Sequence, residues 1–259
     1  MVSQLTFEVA AMSDVGNKRK SNEDCFAISN EFGLYIVSDG MGGAVAGDVA
    51  SKMAVEYLVQ RLKGSGFDND FRFDSSKPVS EQGQRLISAL MDANRFIYTS
   101  ALGTERVGMG CTAAVVLITG NLASVAHVGD SRVYRIRNGG LDQLTNDHSL
   151  VAELLKQGLL SPESAEHSPH SNIITRALGP LKDVEPEVTE FSLIANDMIL
   201  LATDGLTKSV GHKQILQIAS SGKPLQEICH DLIETAKMYG SEDNITCVLL
   251  QTKDHAANA

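Results

Sequence analysis

The sequence predicts an α+β fold in which antiparallel β-sheets carry helices on their outer faces. Three features point to it. Strand-like runs come as hairpin neighbours, as where Thr112 to Ile118 and Ala123 to Asp130 flank a turn at Gly120-Asn121. Helical runs come in pairs. The strand–helix alternation that builds parallel sheets is missing.

Taken in order, Leu5, Phe7, Val9 and Ala11 alternate with polar or small residues and predict a first strand. Asp14 to Glu23 (DVGNKRKSNE) is polar and basic, a loop. Asp24 to Ser29 is a short strand, and Leu34 to Ser38 a buried one closed by Asp39, Gly40, Met41, Gly42 and Gly43. Val49, Ala50, Met53, Ala54, Tyr57, Leu58 and Leu62 follow helical spacing to about Lys63. Lys63 to Gln82, rich in Gly, Ser and Asp, is an exposed loop. Leu86, Leu90, Ala93 and Ile97 mark a second helix, and Arg106 to Gly110 a loop. Arg132 to Arg137 is a strand that ends in the turn Asn138-Gly139-Gly140. Ser149 to Gln157 is helical with Gly158 as its C-cap, and Ser161-Pro162-Glu163 opens another helix. His167 to Ser171 is irregular. Gln214 to Ala219 is a short helix. After Pro224, the residues Leu225, Ile228, Cys229, Leu232, Ile233 and Ala236 form an amphipathic one. Asp254 to Ala259 is a frayed tail. No linker forces a second domain, so residues 1–259 are expected to form one.

Composition narrows the function. The 259-residue chain is 43% apolar and carries a formal net charge of −10. Such a charge argues against nucleic acid, whose phosphates need a basic surface. No apolar run approaches the roughly 20 residues of a membrane helix, and no basic-then-apolar leader opens the chain. Cys25, Cys111, Cys229 and Cys247 are scattered without a C-x-x-C pair, as reduced core thiols in a cytoplasmic protein would be.

The acidic residues at strand ends carry the chemistry. Asp39 follows one apolar run. Asp130 closes ASVAHVGD, Asp204 follows MILLAT, and Asp243 precedes Ile245 to Leu250. Hard divalent cations take oxygen ligands of this kind. Four such ends on one edge of a fold would make a cluster unable to stay ionised without bound cations.

In order along the chain stand D-x-G-x-x-R (Asp14 to Arg19), N-E-D (Asn22 to Asp24), D-G-M-G-G (Asp39 to Gly43) and G-D-S-R (Gly129 to Arg132). L-T-x-D-H-S (Leu144 to Ser149), I-T-R-A-L-G (Ile174 to Gly179), D-G-L (Asp204 to Leu206) and D-N-I-T (Asp243 to Thr246) follow. This ordered set, from about Thr6 to Thr252, resembles the metal-dependent protein phosphatases (PPM, type 2C) in their compact bacterial form. The resemblance implies a four-layer αββα sandwich of two antiparallel sheets flanked by helix pairs. It implies that Asp39 bridges two Mg²⁺ or Mn²⁺ ions, with the Gly40 carbonyl on one. Asp204 and Asp243 would hold the second ion, and Asp130 with Asp204 a third, weaker one. Glu23 and Asp24 would act through metal-bound waters. Arg19 would grip the phosphate while a water bridging the two ions attacks phosphorus in line. No serine nucleophile is required, although Ser38 and Ser131 lie beside ligand positions.

His127 is read as a mid-strand core group, His148 as structural, and Arg132 as a buttress of the Asp130 turn. Ser149 to Arg176 matches the flap beside the active site, with Ser168 and Ser171 where His and Arg are frequent. One departure bears on mechanism. The family pattern continues D-G-M-G-G-H, and that His is the proposed general acid for the leaving alkoxide. Here the residue is Ala44. Either the native enzyme works without this acid, another group supplies it, or the alanine is an engineered replacement. The expectation is a cytoplasmic, monomeric phosphatase acting on phosphoserine and phosphothreonine proteins of a Ser/Thr kinase, with no nucleic-acid or membrane partner. Its rival is a phosphoprotein-binding module with little or no turnover.

Overall fold

A computed structural model describes residues 5–41, 46–63, 79–166, 168–170 and 172–254. Expectations for Gly42, Gly43, Ala44, His167, Ser171, most of the loop after Lys63 and the last five residues lie outside these. Among the described residues the chain runs β1 (Leu5–Asp14), β2 (Asp24–Ser29), β3 (Leu34–Met41), α1 (Gly47–Lys63) and α2 (Glu81–Ala101). Then come β4 (Gly110–Cys111), β5 (Ala113–Thr119), β6 (Leu122–Val128), β7 (Arg132–Arg137), β8 (Gly140–Gln143), α3 (Leu150–Lys156) and α4 (Pro162–Glu166). The last part holds β9 (Glu187–Ser192), β10 (Met198–Ala202), α5 (Asp204–Thr207), α6 (His212–Ala219), α7 (Leu225–Met238) and β11 (Ile245–Asp254).

All pairings are antiparallel, and they make two sheets. One is ordered β1-β11-β10-β7-β8. The other is ordered β2-β3-β5-β6-β9, with β4 paired to β3. Among the described residues, three apolar cores separate four layers. In β3, Tyr35 and Val37 enter the core between the sheets, with Val116, Val133, Leu201 and Val248. Their neighbours Leu34 and Ile36 point the other way, onto Leu58 of α1 and Leu90 and Ile97 of α2. β10 divides in the same manner: Ile199 and Leu201 face the second sheet, while Leu200 and Ala202 meet Ile228, Leu232 and Ile233 of α7. A strand buried on both faces reads as an unbroken apolar run, which is why these two segments stood out in the sequence. The αββα sandwich is the one expected.

Local boundaries needed correction. β3 does not stop at Ser38; it continues through Asp39 and Gly40 to Met41, because β4 pairs with its end. The strand expected from Thr112 is broken there: Thr112 N donates to the Asp39 carbonyl (2.8 Å) and its Oγ1 accepts the Asp39 amide (2.9 Å). α2 already includes Glu81 and Gln82, capped by Ser80 Oγ, which accepts from Gly83 N. Asp254 closes β11 opposite Leu5 instead of opening a tail. β9 and the one-turn α5 were not expected at all.

Candidate metal centre

The candidate ligands meet where β2 begins, β3 ends, β10 runs into α5 and β11 begins. Asp24 lies directly opposite Asp39 in the β2–β3 register. Asp204 is the first residue of α5, and Asp243 stands two positions before β11. Backbone geometry at this edge is tight. A Cβ at Gly40 would lie 2.1 Å from the Gly47 carbonyl oxygen, so only glycine lets β3 pass this close to the start of α1.

Asn244, buried at 2% exposure, ties the loops together. Its Nδ2 donates to the carbonyls of Val15 (2.9 Å) and Ser21 (3.0 Å), and its Oδ1 accepts the Glu23 amide (2.8 Å). These bonds carry the loop bearing Arg19 and Glu23 to the Asp243 turn. Arg19 Nη2 then donates to Asp243 Oδ2 at 2.7 Å, while the guanidinium stays half exposed. Thr203 Oγ1 donates to Asp24 Oδ2 (2.9 Å) and accepts the Thr246 amide (3.0 Å), joining β2, β10 and β11 behind the acids.

The acids are held against their own charge. Burial, then Asp204 and Asp24, push the Asp39 carboxyl well above the usual range. Burial lifts Asp24 to about 7, against the hydrogen bonds from Thr246 and Thr203 and with help from Asp204 and Asp243. Asp130 rises to about 6 through burial and Asp204, with Lys208 opposing. Burial raises Glu23 as well, opposed by Arg19. Among the described residues, Asp24 Oδ1, Asp204 Oδ1 and Asp130 Oδ1 are buried without a hydrogen-bond partner. The orphaned oxygens of Asp24 and Asp204, whose charges both act on Asp39, are a donor set for hard divalent cations, so the core of the site fits the expected metal.

The Asp130 side of the cluster differs. Lys208 Nζ lies 2.6 Å from Asp204 Oδ2 and 3.0 Å from Asp130 Oδ2, the latter an ion pair without hydrogen-bond alignment. It also donates to Asn172 Oδ1 at 3.3 Å. Burial works against the lysine charge, but Asp204 and Asp130 outweigh it and raise the pKa. The sequence reading passed over Lys208, because its i,i+4 spacing from Asp204 becomes a contact only through α5, which was not expected.

Other sequence candidates sit outside the acid cluster. His127 and His148 stack with centroids 4.6 Å apart, and their ligand atoms and that of Glu187 lie within 4.8 Å of one another. Arg176 Nη1 sits 3.4 Å from His148 Nε2 and 3.5 Å from Glu187 Oε1, so a guanidinium already supplies the positive charge there. His148 Nδ1 accepts the Gly129 amide (3.1 Å), which links the flap base to the Asp130 turn. Arg132 forks onto Asp147 and reaches Tyr134. A cleft of about 790 Å³ separates α3 and α4 from the acids and is lined by Asp130, Arg132, Asn172, Asp204, Lys208 and Asp243. A second pocket, at the other end of β3 by Gly33 and Ile118, lies away from this chemistry. Among the described residues no helix is long and apolar enough to cross a membrane.

A two-sheet sandwich that gathers acids at one edge fits a protein that binds divalent metal, and comparison with known proteins supplies the family. The family model described as Protein phosphatase 2C matches residues 17–249, and the chain belongs to that family. Protein phosphatase PhpP of Streptococcus pneumoniae is 37% identical over 253 residues, covering 96% of this chain and 99% of that protein. The S. agalactiae serine/threonine phosphatase structure superposes with a TM-score of 0.84 at 35% identity, covering 95% and 99% of the two chains. The catalytic domain of the serine/threonine phosphatase PstP, solved in complex with 2 manganese ions, gives 0.82 at 33% identity, covering 96% and 100%.

Proposed function

We propose that this chain, as a single catalytic domain, hydrolyses phosphoserine and phosphothreonine in proteins with two Mg²⁺ or Mn²⁺ ions at the acid cluster. The observation that carries this is the set of buried, unpartnered carboxylate oxygens beside Asp39, with Arg19 at the open edge. Asp39 would bridge the ions and the Gly40 carbonyl would join one of them. Asp204 and Asp243 would hold the second, with Glu23 and Asp24 ordering its waters. When bound, the cations lower the pKa of water enough to supply a nucleophile near neutral pH.

The chain's own residues do the remaining work. Arg19, half exposed beside Asp243, offers paired N–H donors to the phosphoryl oxygens and aligns phosphorus. Thr203 and Asn244 hold the acids in register. Position 44 carries a methyl group and donates no proton to the leaving alkoxide. His148 does not replace it: burial first, then His127 and Arg176, lower its pKa to about 4, so it is neutral at physiological pH. Turnover of phosphothreonine peptides is therefore attenuated relative to that of activated esters.

A phosphoprotein substrate of a Ser/Thr kinase, a monomeric state and a cytoplasmic setting complete the reading. The binding-module alternative is disfavoured because every direct ligand position keeps its oxygen donor. Assay of the metal-loaded protein on phosphopeptides and on small phosphorylated metabolites tests the proposal. Release of phosphate from the peptides is the expected result; tight peptide binding without release, or a strong preference for metabolites, would overturn it.

A further inference from the structure

The acid cluster has two sides. Around Asp39, the buried oxygens Asp24 Oδ1 and Asp204 Oδ1 have no hydrogen-bond partner. Between Asp130 and Asp204 a cation is already present: the Lys208 ammonium, 3.0 Å from one carboxylate and 2.6 Å from the other. Family resemblance assigns a third metal ion to this same pair of acids. An ammonium carries three N–H donors and no acceptor. Lys208 faces three oxygens, from Asp130, Asp204 and Asn172. Asp130 is 2% exposed, and Lys208, one turn beyond Asp204 across α5, is held over it from the helix side.

We propose that Lys208 is a built-in substitute for the third metal ion, so that the loaded protein holds two divalent ions and a lysine charge where a third ion would sit. This rests on the two-ion reading above. A divalent ion entering between Asp130 and Asp204 would have to displace an ammonium paired to both acids, with like charges only a few ångströms apart. Lys208 thus acts as a positioning residue through Asp204, which it shares with the core ions. Its contact with Asn172 also ties the flap to the metal centre. Removing the ammonium leaves two carboxylates and an asparagine oxygen around one point, a donor set for a divalent cation.

The experiment is to locate Mn²⁺ by anomalous scattering in crystals of wild-type protein and Lys208→Ala soaked in excess Mn²⁺, with calorimetric stoichiometry in solution. The expected result is two ions in the wild type, with Lys208 Nζ still between Asp130 and Asp204, and three in Lys208→Ala. A third Mn²⁺ on Asp130 in the wild type, with the lysine displaced, overturns the proposal. Two ions in both proteins also overturn it, because Asp130 and Asp204 would then be no cation seat. No ion at Asp39 in either protein rejects the two-ion centre itself, and this proposal with it. Should the variant fold poorly, the wild-type map alone decides whether an ion or the ammonium lies between the acids.

Discussion

Asp24 and Asp39 face each other as direct cross-strand partners in β2 and β3, one buried and one half-buried carboxyl group at adjacent strand ends. Like charges in that position destabilise a sheet. The proposed divalent cations would neutralise the pair, so metal should act as a stabilising ligand of the fold. Free Mn²⁺ at a hundred times its dissociation constant adds about 2.7 kcal/mol. For a domain of this size that is a rise in Tm of roughly 5–10 °C. Scanning calorimetry with Mn²⁺ and with chelator measures it, and an unchanged Tm would count against a metal-neutralised cluster.

Arg19 is anchored by Asp243 at 2.7 Å yet remains half exposed, free to face a phosphate. A hydrogen bond to a charged group contributes about 1.5–3 kcal/mol. Arg19→Ala should therefore lower kcat/KM on phosphopeptide by about 10- to 100-fold, mainly through KM. Unaltered kinetics would remove Arg19 from the site.

Ala44 sets a substrate contrast. Nitrophenolate leaves with little help, whereas a threonine alkoxide needs a proton, and general acids supply about 10²- to 10⁴-fold where they act. Ala44→His should raise kcat on phosphothreonine peptide by at least about tenfold, with a much smaller gain on p-nitrophenyl phosphate. Equal gains would show the imidazole working through packing or metal binding instead.

His148 makes a pH prediction. Burial, then His127 and Arg176, hold its pKa at about 4 against the ordinary 6.5, with Glu187 opposing. The fold therefore favours the neutral ring. Its contribution is complete above pH 6.5 and is lost as pH falls toward 4, because the unfolded chain takes up the proton first. At 1.36 kcal/mol per unit this is on the order of 3 kcal/mol. The stability difference between wild type and His148→Gln, followed by denaturant unfolding, should shift by that order against the wild type over this range. A difference independent of pH would contradict a buried neutral imidazole.

Much of this was legible in the sequence. β2 and β7 have the boundaries expected of them, and α7 begins at the residue after Pro224. Asp39, Asp130, Asp204 and Asp243 were readable because a carboxylate at the end of a buried strand does nothing for the strand. Other features hid for physical reasons. β9 is an edge strand with a half-exposed, mixed-polarity sequence, EVTEFS, and no apolar run to announce it. The role of Asn244 depends on contacts 221 to 229 residues away in sequence, which no local pattern encodes. Lys208 drew no attention in the sequence; the turn of α5 sets it over Asp130, 78 positions earlier in the chain.

Catalysis by divalent cations held in the acid cluster can be tested directly. The measurement is phosphate release from a phosphothreonine peptide by metal-stripped protein titrated with Mn²⁺, run in parallel with Asp39→Asn. Activity should be absent without metal, rise to saturation with Mn²⁺ in the wild type, and fail to recover in Asp39→Asn at the same concentrations. Activity that survives chelator, or an Asp39→Asn variant that titrates like the wild type, would contradict catalysis by these cations.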